Sequence, residues 1–386
     1  MVTDTLREIA QFIWLPVVAC LFVVSFYLTL RLRFIQLRKI PFAFLSVVGG
    51  RRTHHEPGEI SPFNALAMVL AATVGVGSIA GVATAINYGG PGALFWIWVM
   101  AFLGMTLKYS EAVLAVRYRE QDGRGEYVGG PMYYIKNGLH RRWHWLATLY
   151  ALFGVFAMLG IGNMVQANTV AQVVETTFTI SPYFTGALLA LTALLILIGG
   201  VQRIGRVCAK LVPWMAGSYL LVGSLILWMN ASLLPSILRM IVEDAFTGTA
   251  AIGGFSGALM IEALRYGVAR GIFANEAGMG TAGIGHAAAS TGQPVKQGCI
   301  AMFGTCIDTF IVCTLTGIVI ILTGTWMTDL QGAALTAGAF SVVFAYFGEL
   351  FITVCIIVFA FSTLIVYSYY GERCCEYLLG ESIVKP

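Results

Sequence analysis

Nine stretches of this chain are apolar over roughly the 20 residues that a membrane-spanning helix requires. They run over residues 12–30, 62–87, 92–116, 145–173, 182–200, 211–229, 250–284, 298–323 and 340–370. No compact water-soluble fold can bury so many long apolar helices. Only 11% of the 386 residues are charged and 58% are hydrophobic, against about 25% charged in soluble domains. In water such a surface would expose large adhesive patches. The chain is therefore expected to be an all-α polytopic membrane protein. The first apolar run is too long for a signal-peptide core and is followed by Arg31 and Arg33, so it is expected to be a retained helix.

The placement of Lys and Arg sets the expected orientation. With the N-terminus outside, alternate loops hold 18 of the 23 basic residues, as the positive-inside bias requires. The C-terminus then lies inside. Residues 31–56 set Arg and Lys among Phe34, Ile35, Phe42 and Phe44 and are expected to lie along the inner membrane surface, the alternative being a disordered loop. The eight cysteines form no C-x-x-C pair and suit small core packing.

Two apolar segments carry glycine clusters: Thr73 to Gly81, and Gly267 to Gly280. They lie just under 200 residues apart, each at the start of a run of helices. Paired glycine-interrupted helices in two halves of a chain point to a transporter binding site. Unwinding there frees carbonyls that suit a hard cation and N–H groups that suit a carboxylate. The competing reading is close helix packing, because Gly77/Gly81 and Gly267/Gly271 both have G-x-x-x-G spacing.

Ionisable residues at membrane depth are functional candidates. Arg270 and Glu276 flank the second cluster and are expected to satisfy each other or the freed backbone. Asp308 lies inside the eighth segment beside Thr309. Lys108 and Glu111, one turn apart, read as a structural ion pair or snorkelling side chains. Asn163 and Gln166 share one face of the fourth segment. Ser362 and Thr363 bring two hydroxyls to the last segment, where bonding back to their own helix is the plain alternative. The five histidines sit near the expected inner face, with no nucleophile, base and orienter together, so an enzyme is not expected. A channel is disfavoured by the lack of charged rings or a repeated filter motif.

Several stretches resemble the alanine/glycine:cation symporter family, also called sodium:alanine symporters. They are Gly89-Gly-Pro-Gly-Ala-Leu-Phe-Trp-Ile-Trp98 running on to Gly104, Gly162-Asn-Met-Val-Gln-Ala-Asn168, Arg270-Gly-Ile-Phe-Ala-Asn-Glu-Ala-Gly-Met-Gly280, Phe359-Ala-Phe-Ser-Thr363 and Tyr369-Tyr-Gly-Glu-Arg373. The resemblance implies a LeuT-type fold: one extra N-terminal helix, then a core of two inverted five-helix repeats with discontinuous core helices 1 and 6. On that basis residues 1–58 hold the extra helix and basic stretch, 59–232 the first repeat (core helices 1–5) and 233–386 the second (core helices 6–8). The second repeat is expected to be incomplete, apparently lacking the last two core helices.

The resemblance further implies sodium-coupled uptake of small neutral amino acids such as alanine and glycine across a cytoplasmic membrane. Sodium is the expected coupling ion, a proton the alternative, and no bound cofactor is implied. Small amino acids, sodium and membrane lipid are the expected partners; nucleic acid is not. Carried over by residue, the sodium site uses carbonyls of Ala71, Val74 and Phe359 and the hydroxyls of Ser362 and Thr363. The substrate site uses Gly75, Val76, Gly77 and Ser78 for the carboxylate, and Gln166, Asn163, Phe273, Ala274, Asn275 and Glu276 around the ammonium, with Phe273 and Tyr367 capping the side chain. The sequence departs from the family pattern at Ile97 (usually Met), Ser78 (usually Asn), Ala274 (usually Ser) and Tyr367 (usually Trp). These departures and the short second repeat keep open a second reading, a non-transporting binding or sensing protein or a truncated relic.

Overall fold

The structure is a computed structural model that describes residues 2–49, 56–247 and 256–384. Its elements are α1 (Val2–Arg31), α2 (Ile35–Gly49), α3 (Pro62–Thr73), α4 (Gly77–Gly89), α5 (Gly92–Arg117), a hairpin of β1 (Glu120–Gln121) and β2 (Tyr127–Val128), α6 (Pro131–Gly138), α7 (Arg141–Phe178), α8 (Pro182–Leu197), α9 (Gly200–Met229), α10 (Leu234–Thr247), α11 (Ser256–Asn275), α12 (Thr281–Ala287), α13 (Pro294–Leu322) and α14 (Gly332–Leu379). Among the described residues five of these helices are long and apolar enough to cross a bilayer, and two bent pairs, α1 with α2 and α3 with α4, bring the number to seven.

The bundle centres on α5, along which α11, α12 and α13 pack. Small residues allow the close approach. A Cβ on Gly267 would meet the Ala93 carbonyl and Trp96, and one on Gly271 would lie 3.1 Å from Met100 Cβ. At these two positions the packing reading of the second glycine cluster holds, and α11 runs through both without a break. Large apolar side chains on α7, α8 and α9, among them Phe156, Leu191, Leu195, Leu221 and Trp228, face outward, as lipid contact requires.

Four expected segments need correction. The 250–284 segment is not one span: residues 250–255 lie outside the described residues, α11 ends at Asn275 and α12 begins at Thr281. The 211–229 segment is the second half of α9, whose basic first half is helical as well; from there Arg203 reaches the Leu195 carbonyl, 2.6 Å away, near the end of α8. The 31–56 stretch is helical over α2 and turns 78° from α1. It is no loop over its described part, and Ala43 is buried among Met105, Tyr109, Cys299 and Met302. The 340–370 segment belongs to α14, whose 48 residues would span about 72 Å if straight. Ala345 (φ 48°, ψ −134°) breaks it. There the chain folds back tightly enough that a Cβ on Gly348 would overlap the Phe340 carbonyl.

Candidate functional site

The helices α3 and α4 meet at a 48° bend. Val74 leaves the helical region (ψ 78°), its N–H still held by Leu70 O at 2.7 Å. A Cβ on Gly75 would come within 2.5 Å of Thr363 Oγ1, so glycine admits the neighbouring helix here. The first cluster is therefore a true interruption, resuming as a π-helical turn over Gly77–Gly81. At the second interruption Glu276, Gly278 and Gly280 all have positive φ. Its N–H groups find partners in side chains: Ala277 N–H donates to Asn275 Oδ1 (3.0 Å) and Gly278 N–H to Glu111 Oε1 (2.6 Å). Buried N–H groups in lipid demand such partners. The unwinding thus spans Glu276 to Gly280, narrower than the expected Gly267 to Gly280.

The two breaks face each other. A Cβ on Gly77 would lie 3.6 Å from Ala274 Cα and from the Phe273 ring. The long half of α14 lies across both. Thr363 Oγ1 donates toward Ala71 O (3.0 Å) or Phe359 O (3.0 Å), and Ser362 Oγ toward Phe359 O (2.8 Å) or Ala71 O (3.3 Å). Four of the five expected sodium ligands, Ala71, Phe359, Ser362 and Thr363, are thereby brought together. Val74, the fifth, sits at the break itself, buried.

A small cavity lies between these elements. The first break contributes Ala72, Thr73, Gly75, Val76 and Gly77; the second contributes Phe273, Glu276 and Met279; α7 adds Ile161 and Gln166; α14 adds Thr363 and Tyr367. Gln166 Oε1 is buried with no hydrogen-bond partner among the described residues. The Tyr367 hydroxyl donates to Glu276 Oε1, and Thr281 Oγ1 donates to Glu276 Oε2 at 2.6 Å. Asn163, Ser78, Ala274 and Asn275 do not line the cavity. Asn163 accepts from Ser368 (3.2 Å), Asn275 caps the second break, Ala274 packs against Gly77, and Ser78 turns away toward Asp308 (2.6 Å).

Two charge expectations are corrected. Arg270 does not pair with Glu276; its guanidinium lies 5.6 Å from the centre of the Phe273 ring, while Glu276 is taken by the two hydroxyls. Lys108 and Glu111 neither snorkel nor pair with each other. Lys108 is 2% exposed and Glu111 is 6% exposed. The Lys108 ammonium has no hydrogen-bond partner among the described residues, and Glu111 holds the second break. His286 is fully buried, its Nδ1 2.7 Å from Gln297 Nε2. Sequence reasoning missed Ala72 and Ile161 and reached Thr73 and Met279 only as members of the two glycine clusters; none carries a charge or rare residue type to mark it.

At the basic end of the bundle, the two broken helices are tied together. Ile60, before α3, pairs with Ala289, after α12. Ser290 N–H donates to Ile60 O (2.6 Å) and Glu59 N–H to Ala288 O (2.9 Å). Arg119, just beyond α5, donates to four carbonyls, those of Pro57, Ala287, Ala289 and Thr291, at 2.7 to 2.8 Å. Its guanidinium lies 4.3 Å from the centre of the Tyr127 ring. The Glu59 carboxylate accepts the Tyr127 N–H; burial pushes that carboxyl up to about 7, against the lowering effect of this N–H.

The profile described as the sodium:alanine symporter family matches residues 1–385. The sodium/alanine symporter AgcS of Methanococcus maripaludis is 45% identical over 386 residues, covering 98% of this chain and 84% of the relative. The probable sodium/glutamine symporter GlnT of Bacillus subtilis is 38% identical over 90% of this chain and 71% of its own length. Among solved structures, a manganese transporter of Eremococcus coleocola, crystallised as a mutant, shares the fold at a TM-score of 0.53 and 13% identity, covering 82% of this chain and 66% of that one.

Proposed function

The chain belongs to the sodium:alanine symporter family, and on that premise we propose that it carries small neutral amino acids, alanine and glycine first, across a cytoplasmic membrane together with sodium. The observation that carries the reading is the meeting of the Thr363 and Ser362 hydroxyls with the Ala71 and Phe359 carbonyls beside the cavity. Hydroxyl and carbonyl oxygens are hard ligands, suited to an alkali cation. An ion there joins α14 to α3 at the first break, so its arrival sets the shape of the cavity that Thr363 also lines.

The substrate carboxylate meets N–H groups at the start of α4, where a helix has unpaired donors and positive dipole character. Its ammonium meets the unpartnered Gln166 oxygen, the Glu276 side and the Thr73 carbonyl at the first break. Phe273 and Tyr367 wall the remaining space, and a larger side chain would have to overpack it. We assign α3 with α4, α5, α7, α8 and α9 to a first repeat and α11 with α12, α13 and α14 to a second. The broken pairs are core helices 1 and 6. The basic end is cytoplasmic, and the Arg119 and Glu59 contacts close the site on that side. Alternating access then requires those contacts to part.

The test is equilibrium binding of labelled alanine to the purified protein in sodium or potassium chloride. Sodium-dependent, saturable binding displaced by glycine is expected. Equal binding in both salts would contradict sodium coupling.

A further inference from the structure

Asp308 is fully buried within α13, in a π-helical stretch over Cys306–Cys313. Its hydrogen-bond partners are two neutral hydroxyls, Ser78 Oγ at 2.6 Å and Thr309 Oγ1 at 3.3 Å. Among the described residues no salt bridge reaches it. A bare carboxylate offers about four acceptor sites and is costly to bury on so few donors.

The Ser78 hydroxyl has two acceptors in reach. Its oxygen is 2.6 Å from Asp308 Oδ1 and 3.2 Å from the carbonyl of Thr73. One O–H donates one proton, so it cannot serve both acceptors. A proton on Asp308 resolves the conflict: Asp308 donates to Ser78 Oγ, and Ser78 donates to Thr73 O. That carbonyl, at the first break, also accepts the Gly75 N–H at 2.8 Å, so both its lone pairs are then used. Thr73 lines the cavity. An ammonium arriving there finds no free acceptor on Thr73 until Ser78 turns its proton to Asp308, and that requires Asp308 to lose its own.

We propose that Asp308 is a proton-binding site of the transport cycle, which releases its proton as the ammonium group of an amino acid enters the cavity at the first break. This rests on the amino-acid reading of the cavity given above. The balance is simple. The Asp308 O–H bond breaks and its proton passes to bulk water. The Ser78 O–H is kept and turns from Thr73 O to Asp308 Oδ1, and the ammonium takes its place at Thr73 O. The charged and titratable groups facing Asp308 are Lys108 of α5, Glu276 at the second break and Cys313 on its own helix. The Lys108 ammonium has no hydrogen-bond partner among the described residues.

The experiment measures alanine affinity at fixed sodium concentration between about pH 6 and pH 8, a range in which alanine itself stays zwitterionic. Release of a proton on binding predicts affinity at least about fivefold tighter at the higher pH, within a limiting slope of about tenfold per pH unit. The Asp308→Asn variant should change less than about twofold over the same range, since its amide keeps the Ser78 contact but exchanges no proton. The Glu59→Gln variant should keep the wild-type slope, which separates this site from the cytoplasmic contacts. Infrared difference spectra with and without alanine should show a protonated-carboxyl C=O band lost on binding and absent in Asp308→Asn. Sodium-dependent alanine binding without a pH slope would overturn the proposal and leave the symporter reading standing. So would a slope that Asp308→Asn retains. Should sodium-dependent binding itself be missing, the symporter reading fails, and the carboxyl band of the ligand-free protein still decides whether Asp308 holds a proton.

Discussion

Thr363 Oγ1 lies 3.0 Å from the carbonyl oxygen of Ala71, which joins the last long helix to the first broken one beside the cavity. The hydroxyl proton turns toward carbonyl oxygen here. A sodium ion would draw the same oxygens inward and displace that bond. Thr363→Ala removes one ligand of about five, and losing a hydrogen bond to a charged group costs about 1.5–3 kcal/mol. Apparent sodium affinity should fall by roughly 10- to 150-fold, measured as the sodium dependence of alanine uptake. Thermal stability should change little, because the Ala71 and Phe359 carbonyls still have the Ser362 hydroxyl in reach, at 3.3 and 2.8 Å.

Gly162 on α7 packs directly on the Tyr367 ring, where an added Cβ would overlap it. Gly162→Ala should push that ring toward Glu276 and the cavity. Overpacking of this kind costs about 1–3 kcal/mol. Alanine affinity should fall although residue 162 does not line the cavity. Larger competing amino acids should lose more than glycine does, which a competition series would show.

Glu111 holds the second break through the Gly278 N–H. Glu111→Ala removes the acceptor of this partly buried N–H, at a cost of about 0.5–1.5 kcal/mol. Glu111→Gln keeps an acceptor oxygen and should be milder. The readout is thermal unfolding in detergent together with alanine binding, and both should follow the order wild type, Gln, Ala.

Arg119 ties the entry of α3 to the exit of α12 through four carbonyls. Lysine has three donors on one atom and cannot span them in a fixed plane. Both Arg119→Ala and Arg119→Lys should loosen the basic end, read as faster thiol labelling of a cysteine introduced at Ser290.

Glu59 gives that end a pH dependence. Its carboxyl in the closed arrangement titrates at about 7, above the ordinary value near 4.3 of a Glu released to water. The closed state therefore binds more protons than the open one between those values, and its stability falls as pH rises through that window. Labelling at position 290 should speed up from about pH 5 to pH 7 and then level off, since the ordinary Glu value marks the lower bound and the raised one the upper. Glu59→Gln should flatten the profile.

Much of this was legible in the sequence. The spans were written in long apolar runs, because lipid leaves helices no other way to satisfy their backbone. The first break showed in Gly75 and Gly77, and the hydroxyl pair showed as two adjacent polar residues in an apolar helix. The extent of the second break was not legible. Gly267 and Gly271 carry the same residue type as Gly278, yet they serve contact with Ala93 and Met100, and only the neighbouring helix distinguishes the two uses. The kink at Ala345 has no residue-type signal at all. Ser78 and Asn275 were expected at the cavity from the resemblance. Their side chains instead satisfy Asp308 and the Ala277 N–H, choices that depend on which buried acceptor or donor lies in reach. Lys108 and Glu111 read as a structural ion pair or snorkelling side chains because one-turn spacing says nothing of what packs over them.

The measurement that tests the central claim most directly is alanine accumulation by liposomes containing the purified protein, with an inward sodium gradient or none, for wild type and Thr363→Ala. Sodium coupling through the α3–α14 contact predicts gradient-dependent accumulation by wild type, and by Thr363→Ala only at much higher sodium. Accumulation that ignores the gradient, or that Thr363→Ala leaves unchanged at every sodium concentration, would contradict it.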